Sequence, residues 1–163
     1  MGRKIQPARM IGPHAPSVLS VAYTTGQTFK KGALLLYAAA GTVSECGADP
    51  TEVSGVALEA AASKPGWDAA NSPLQVTGRV QEVSMGVADR ITTWSMRGKS
   101  AAGGDPLLPA QTHINEQYGV VKVGDDWVLD IDEVTAKVFE VVDIDIDNRI
   151  FFCKFLEAVL SLP

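Results

Sequence analysis

Residues 118–156 read YGVVKVGDDWVLDIDEVTAKVFEVVDIDIDNRIFFCKFL. Tyr118–Val123 and Trp127–Asp130 are β-type runs on either side of Gly124-Asp125-Asp126, a hairpin signal. Val134–Asp145 and Ile150–Leu156 repeat the arrangement around Asp147-Asn148-Arg149. Ile144-Asp145-Ile146-Asp147 alternates as a half-buried strand must, because successive side chains point to opposite faces. Two hairpins in under forty residues make this end of the chain β.

Working towards the N-terminus, the same grammar continues. Val18–Tyr23 is followed by Thr24-Thr25-Gly26-Gln27, Ala33–Ala39 ends at Gly41, and Thr42–Cys46 ends at Gly47-Ala48-Asp49-Pro50. Ser54–Ala61 reaches the loop Lys64-Pro65-Gly66-Trp67-Asp68, and Leu74–Met85 and Arg90–Met96 are read as a pair across Gly86. Strands about ten residues apart, separated by turn residues, are the pattern of an antiparallel barrel or sandwich. Glu59–Lys64 is an alternative single helical turn, since Ala favours helix. Helical periodicity is nowhere sustained for three turns, so an all-α fold is excluded.

Two stretches break the pattern. Residues 1–16 hold three prolines and two glycines and show no period, which predicts an extended N-terminal arm ahead of a single β domain over 17–163. Residues 97–117, RGKSAAGGDPLLPAQTHINEQ, form one long loop in which Leu107 and Leu108 are apolar enough to suggest a contact surface. Trp67, Trp94 and Trp127 are read as packing anchors at a barrel end or a subunit interface, ahead of a ligand-stacking set.

The 163 residues suit one domain, with 46% hydrophobic and 20% charged residues. The net charge of −5 is unevenly spread. Residues 1–44 carry five basic groups (Arg3, Lys4, Arg9, Lys30, Lys31) and no acid, whereas 125–147 carry nine carboxylates against Lys137. That polarity argues against nucleic-acid binding through a broad basic face and suits contact between copies or with different partners at the two ends. Cys46 and Cys153 make no disulfide framework, so a reduced compartment is the simpler expectation. The longest apolar run, Ala33–Ala40, is far short of the roughly 20 residues that span a bilayer, so no membrane partner is expected.

Chemistry-bearing motifs are weak. Arg97-Gly98-Lys99-Ser100 matches only the end of a phosphate-binding loop, with Thr93 where the first glycine belongs, and reads as a polar turn. Asp143, Asp145 and Asp147 resemble the start of a calcium loop, but Asn148 and Lys154 replace its Gly and Glu. They read as a solvated face, with a partner or ion contact as the alternative. His14, Cys46, His113 and Cys153 are isolated, which speaks against zinc, and no G-x-S-x-G elbow holds a nucleophile. Neither an enzyme nor a cofactor is expected.

Thr25-Gly26-Gln27-Thr28-Phe29-Lys30-Lys31-Gly32-Ala33-Leu34-Leu35, then Gly47-Ala48-Asp49-Pro50-Thr51 and Gly55-Val56-Ala57-Leu58-Glu59-Ala60-Ala61, with Arg149–Leu156 as a closing strand, resemble the small head-decoration (capsid cement) proteins of tailed bacteriophages. The likeness is best over residues 23–62 and lies in scaffold motifs. It implies a small antiparallel β-barrel or β-tulip-like domain and a homo-oligomer, commonly a trimer, on the virion exterior. Such a protein is assembled in the host cytoplasm and binds the major capsid protein shell at capsomer junctions without a cofactor. Combined with the arm and loop, it nominates Arg3, Lys4, Ile5, Arg9, Met10, Ile11, Trp67, Leu107 and Leu108 as partner contacts. The competing class is a biotinyl- or lipoyl-like carrier barrel, similar in Gly26-x-x-x-x-Lys31-Gly32-x-x-Leu35. That class presents a modifiable Lys in Met-Lys-Met or Asp-Lys-Ala, and this chain has neither.

Overall fold

The computed structural model describes residues 5–7, 17–24, 26–38, 41–61 and 82–161. It is mainly β. Among the described residues are twelve strands: β1 (Gln6–Pro7), β2 (Val18–Ala22), β3 (Leu34–Tyr37), β4 (Val43–Glu45), β5 (Gly55–Ala57), β6 (Glu82–Val87), β7 (Trp94–Met96), β8 (Gly98–Lys99), β9 (Gln117–Val123), β10 (Asp126–Asp130), β11 (Phe139–Asp145) and β12 (Ile150–Phe155). They form a five-stranded sheet in the order β2-β6-β5-β3-β4 and a seven-stranded sheet in the order β1-β7-β12-β11-β9-β10-β8. Neither sheet is closed into a barrel. The two are held together by one continuous apolar cluster, and a backbone bridge from Val53, before β5, to Leu160, beyond β12, adds a tie.

The two C-terminal hairpins stand where the sequence puts them. β9 and β10 pair antiparallel around Gly124, whose φ of 63° is left-handed backbone that costs glycine little. β11 and β12 pair from Phe139↔Phe155 to Asp145↔Ile150, with a register shift between Val141 and Asp143. The expected strand over 134–145 begins only at Phe139, and Asp147 lies in the turn beyond β11. The three aspartates therefore do not share one strand face.

The pairing across Gly86 is a correction. Gly86 lies inside β6, between β2 and β5, while β7 pairs with β1 and β12 in the other sheet. The chain crosses between sheets at 88–93. A Cβ on Gly86 would lie 2.8 Å from Trp94 Cη2, so this glycine serves close approach and not a turn. Trp94 is fully buried and meets Phe155 edge-on at 6.0 Å, and Phe139 packs on Phe155 at 4.3 Å.

Of the expected arm only residues 5–7 are described, and they are extended. Gln6↔Ser95 and Pro7↔Trp94 add β1 to the seven-stranded sheet. Ile5 is 1% exposed and belongs to the core. Extending the ladder places it in the row Met96–Phe151–Ile144, where apolar side chains already line the inner face. A short extended segment gains enough from one buried Ile and a few ladder bonds to hold its place. The alternative helical turn at 59–64 is absent from Glu59–Ala61, and the remainder lies outside the described residues, as do residues 74–81 of the expected strand over 74–85.

A polar clasp joins the β9–β10 hairpin to the five-stranded sheet. Glu45 accepts from the Trp127 indole N–H at 2.9 Å and from Lys122 Nζ at 2.8 Å, and Lys30 pairs with Asp125. The Glu45 side chain is 17% exposed, so its bonds are worth more than the exposed Lys30 pair.

Candidate partner-binding surface

Of the nominated contacts, Arg3, Lys4, Arg9, Met10, Ile11 and Trp67 lie outside the described residues. Ile5 is core. Leu107 is 9% exposed: its N–H donates to the Gly98 carbonyl at 2.7 Å and its side chain fills the space a Cβ on Gly103 would need. Leu108 points outward, 54% exposed. The structure therefore separates two neighbours that the sequence treats alike.

The loop over 97–117 is ordered by polar contacts, within itself and with β10 and the turns that follow β10 and β11. Asp132 accepts from the Ala101 N–H at 2.6 Å, and Ser100 and Gly104 exchange backbone bonds. Arg149 donates to the Pro106 carbonyl at 3.2 Å. Arg97 lies 3.6 Å from both Asp105 and Asp126. A 3-10 turn at Gln111–His113 follows, in which His113 Nδ1 accepts from the Ala110 N–H at 3.0 Å. Burial against Tyr118 and Phe151 pushes the His113 pKa below its ordinary value. Gly98, in the phosphate-loop look-alike, sits where a Cβ would lie 2.4 Å from Phe151 Cε2, inside a strand parallel to β10.

Apolar side chains that the sequence reading did not nominate are more exposed than Leu107. Ile91 is 63% exposed at the tip of a turn held by Asp89, whose carboxylate accepts from the N–H groups of Ile91 (2.7 Å) and Thr92 (2.5 Å) and from the Thr92 hydroxyl (2.8 Å). Val134 is 61% exposed on a turn held by Glu133, which accepts from Thr135 and Ala136 N–H at 2.6 and 2.8 Å. Those bonds favour the ionised form and hold the Glu133 pKa below its ordinary value. The first turn leads into β7 and the second into β11, and both strands start at the end of the sheet where β12 finishes. Two β-branched side chains are thus presented at one end of the seven-stranded sheet on turns fixed by side-chain acceptors. The sequence signal was Asp89-Arg90-Ile91-Thr92, a polar turn around an isoleucine.

At the opposite end of β11 is an open groove of about 760 Å³ lined by Gln111, Ile144, Asp145, Ile146, Asp147 and Phe152. Asp145 accepts from the backbone and side-chain amides of Asn148, and Asp143 from the Ile144 N–H. Among the described residues no three His, Cys, Asp or Glu side chains are grouped to hold a metal ion. No described helix is long and apolar enough to cross a membrane.

Cys46 and Cys153 are both free and buried. Burial pushes the Cys46 thiol up to about 12 and the Cys153 thiol upward as well, so neither is a thiolate near neutrality.

No protein-family model, curated protein or solved structure matches the chain.

Proposed function

We propose that this chain is a non-enzymatic structural protein that decorates a tailed-phage capsid, binding the outer surface of the major capsid protein shell at capsomer junctions and stabilising it there. The observation that carries this reading is the presentation of Ile91 and Val134, 63% and 61% exposed, on turns already fixed by Asp89 and Glu133. Apolar groups held in place before binding lose little further entropy when a partner covers them. The segment bearing the family resemblance supports the same reading. Gly26 and Gly32 take φ of 85° and 91°, Phe29 is buried, and the turn closed by the Ala33 N–H to the Lys30 carbonyl (3.1 Å) delivers the chain into β3. That is a scaffold role.

The test is calorimetry of assembled capsids that lack their decoration protein, with and without the purified chain. Binding that raises the capsid melting temperature is expected, since a ligand of the assembled state stabilises it by mass action. Capsids that melt unchanged at saturating protein would overturn the proposal. The carrier reading has one foothold, the exposed Lys31 in the turn before β3. An intact mass equal to that of the unmodified chain is expected, and a biotinyl or lipoyl adduct on Lys31 would replace the capsid reading.

A further inference from the structure

The turn that carries Gln111, one wall of the groove at the end of β11, hangs from a single side chain. On one side of it Pro109 is buried, and on the other the Asn115 N–H donates to the Val141 carbonyl at 2.8 Å. Between those anchors Ala110, Gln111 and Thr112 are exposed. Among the described residues their backbone bonds only to His113 and Ile114. The His113 N–H donates to the Ala110 carbonyl at 2.9 Å, the Ile114 N–H to the Gln111 carbonyl at 3.2 Å, and the Ala110 N–H donates to His113 Nδ1 at 3.0 Å. The His113 ring is the part that reaches the body of the protein, 5.5 Å from the Phe151 ring and 6.1 Å, edge-on, from the Tyr118 ring.

That bond fixes the state of the ring. An imidazole nitrogen accepts only while it carries no proton, so Nδ1 is bare and the ring neutral. A proton there would set one N–H against another and place a charge against two aromatic side chains.

We infer that the Ala110–His113 pair is an acid-released latch on this groove: a proton taken from solvent at His113 Nδ1 removes the acceptor of the Ala110 N–H, frees the turn Gln111–His113 and withdraws Gln111 from the groove wall. The surroundings decide where the latch acts. On the β9 side stand Tyr118 and Glu116, whose charge Tyr118 feels. β12 has no charged neighbour beside Phe151, since Ile150 and Phe152 flank it. From β11 and the turn after it come Asp143, Asp145, Asp147 and Arg149, of which Asp145 and Asp147 line the groove with Gln111 and Arg149 holds the Pro106 carbonyl. The carboxylates would favour a charged ring, but burial prevails and the His113 pKa lies below its ordinary 6.5. The closed turn holds the neutral form, so the latch is fully shut above 6.5 and gives way as pH falls from there through the lower folded-state value. Once released, the cationic ring has the groove carboxylates to attract it. The inference holds for the free protein and does not rest on the capsid reading.

The experiment is nitrogen NMR of the full chain across pH, in a His14→Gln background so that one of the two histidines remains. At neutral pH the His113 ring is expected to carry its proton on Nε2, and to titrate with a midpoint below 6.5. With that same midpoint the Ala110 amide shift should move and the heteronuclear NOE of Gln111 and Thr112 should drop. The Leu129 amide, bonded to the Arg97 carbonyl, should keep its NOE, which separates release of the turn from loss of the fold. His113→Asn supplies an amide oxygen that accepts without titrating, so its turn is expected to stay ordered from neutral pH into acid, whereas His113→Ala loses order at both. A midpoint at or above 6.5, a turn that stays ordered around a protonated ring, or an Asn variant that loosens in acid together with the wild type would each overturn the inference. Should the Asn side chain fail to hold the turn even at neutral pH, the shared midpoint of the ring and the turn in the histidine protein decides it.

Discussion

The two edges of the five-stranded sheet are built from similar residues and finished differently. β4 spends the Gln27 side chain and the Thr24 amide on its outward groups, and Glu45 at its end is drawn into the clasp with Trp127 and Lys122. β2 meets β4 only just beyond its end, where Tyr23 bridges Val43, and leaves Val18 and Leu19 exposed at its start. The two edges thus approach each other at one end and part at the other, where the side chains of Val18 and Leu19 are left exposed. The same distinction separates Leu107 from Leu108 and a packed core from the presented Ile91 and Val134.

The comparison assumes that both edges are held by one rigid core, and the largest expected effect tests that assumption. Trp94 reaches from β7 to Gly86 in β6 and is fully buried, so Trp94→Ala is expected to cost about 3–5 kcal/mol in urea unfolding. A cost below about 1 kcal/mol would mean that the sheets do not depend on each other. A smaller change converts the closed edge into an open one. Gln27→Ala leaves the Glu45 N–H without its acceptor, for an expected loss of about 0.5–1.5 kcal/mol. It should also produce new concentration-dependent association, read by light scattering. If association does not change, capping by Gln27 is irrelevant to solution behaviour and the contrast between edges loses its meaning.

The smallest effect is a pH dependence at the presented end. The folded-state pKa of Glu133 is depressed by bonds from Ala136 and Thr135, so its contribution is present above the ordinary carboxylate value of 4.5 and fades as pH falls through the lower folded-state value. Wild type and Glu133→Gln should therefore differ in melting temperature at neutral pH and converge in acid. A difference that grows on acidification would show that the turn is not held by the ionised carboxylate.

Much of the fold could be read from local pattern. The turns at Gly124 and at Asp147-Asn148-Arg149 lie between alternating runs, and both hairpins stand as expected; β2, β3 and β4 also fall inside their predicted runs. What failed was non-local. Gly86 has the local look of a turn, and only the position of Trp94, in the other sheet, shows that it is a contact glycine. Ile5 sits among prolines in a stretch with no period, yet a neighbouring strand gives it a core position. Leu107 and Leu108 have the same composition and opposite fates because Gly98 offers one of them a carbonyl. The presented Ile91 and the exposed start of β2 could not be foreseen, because which side of a strand stays unpaired depends on the sheet order and not on its sequence.

The central claim is that this scaffold binds a capsid through apolar groups it holds out in advance. The most direct measurement is co-sedimentation of decoration-free capsids with the wild type and with a double variant, Ile91→Asp with Val134→Asp. Both positions are more than half exposed, so the variant should keep the wild-type melting temperature. The account predicts saturable binding by the wild type and a Kd at least about tenfold weaker for the variant. Wild type that stays in the supernatant, or a variant that sediments as tightly as the wild type, would contradict it.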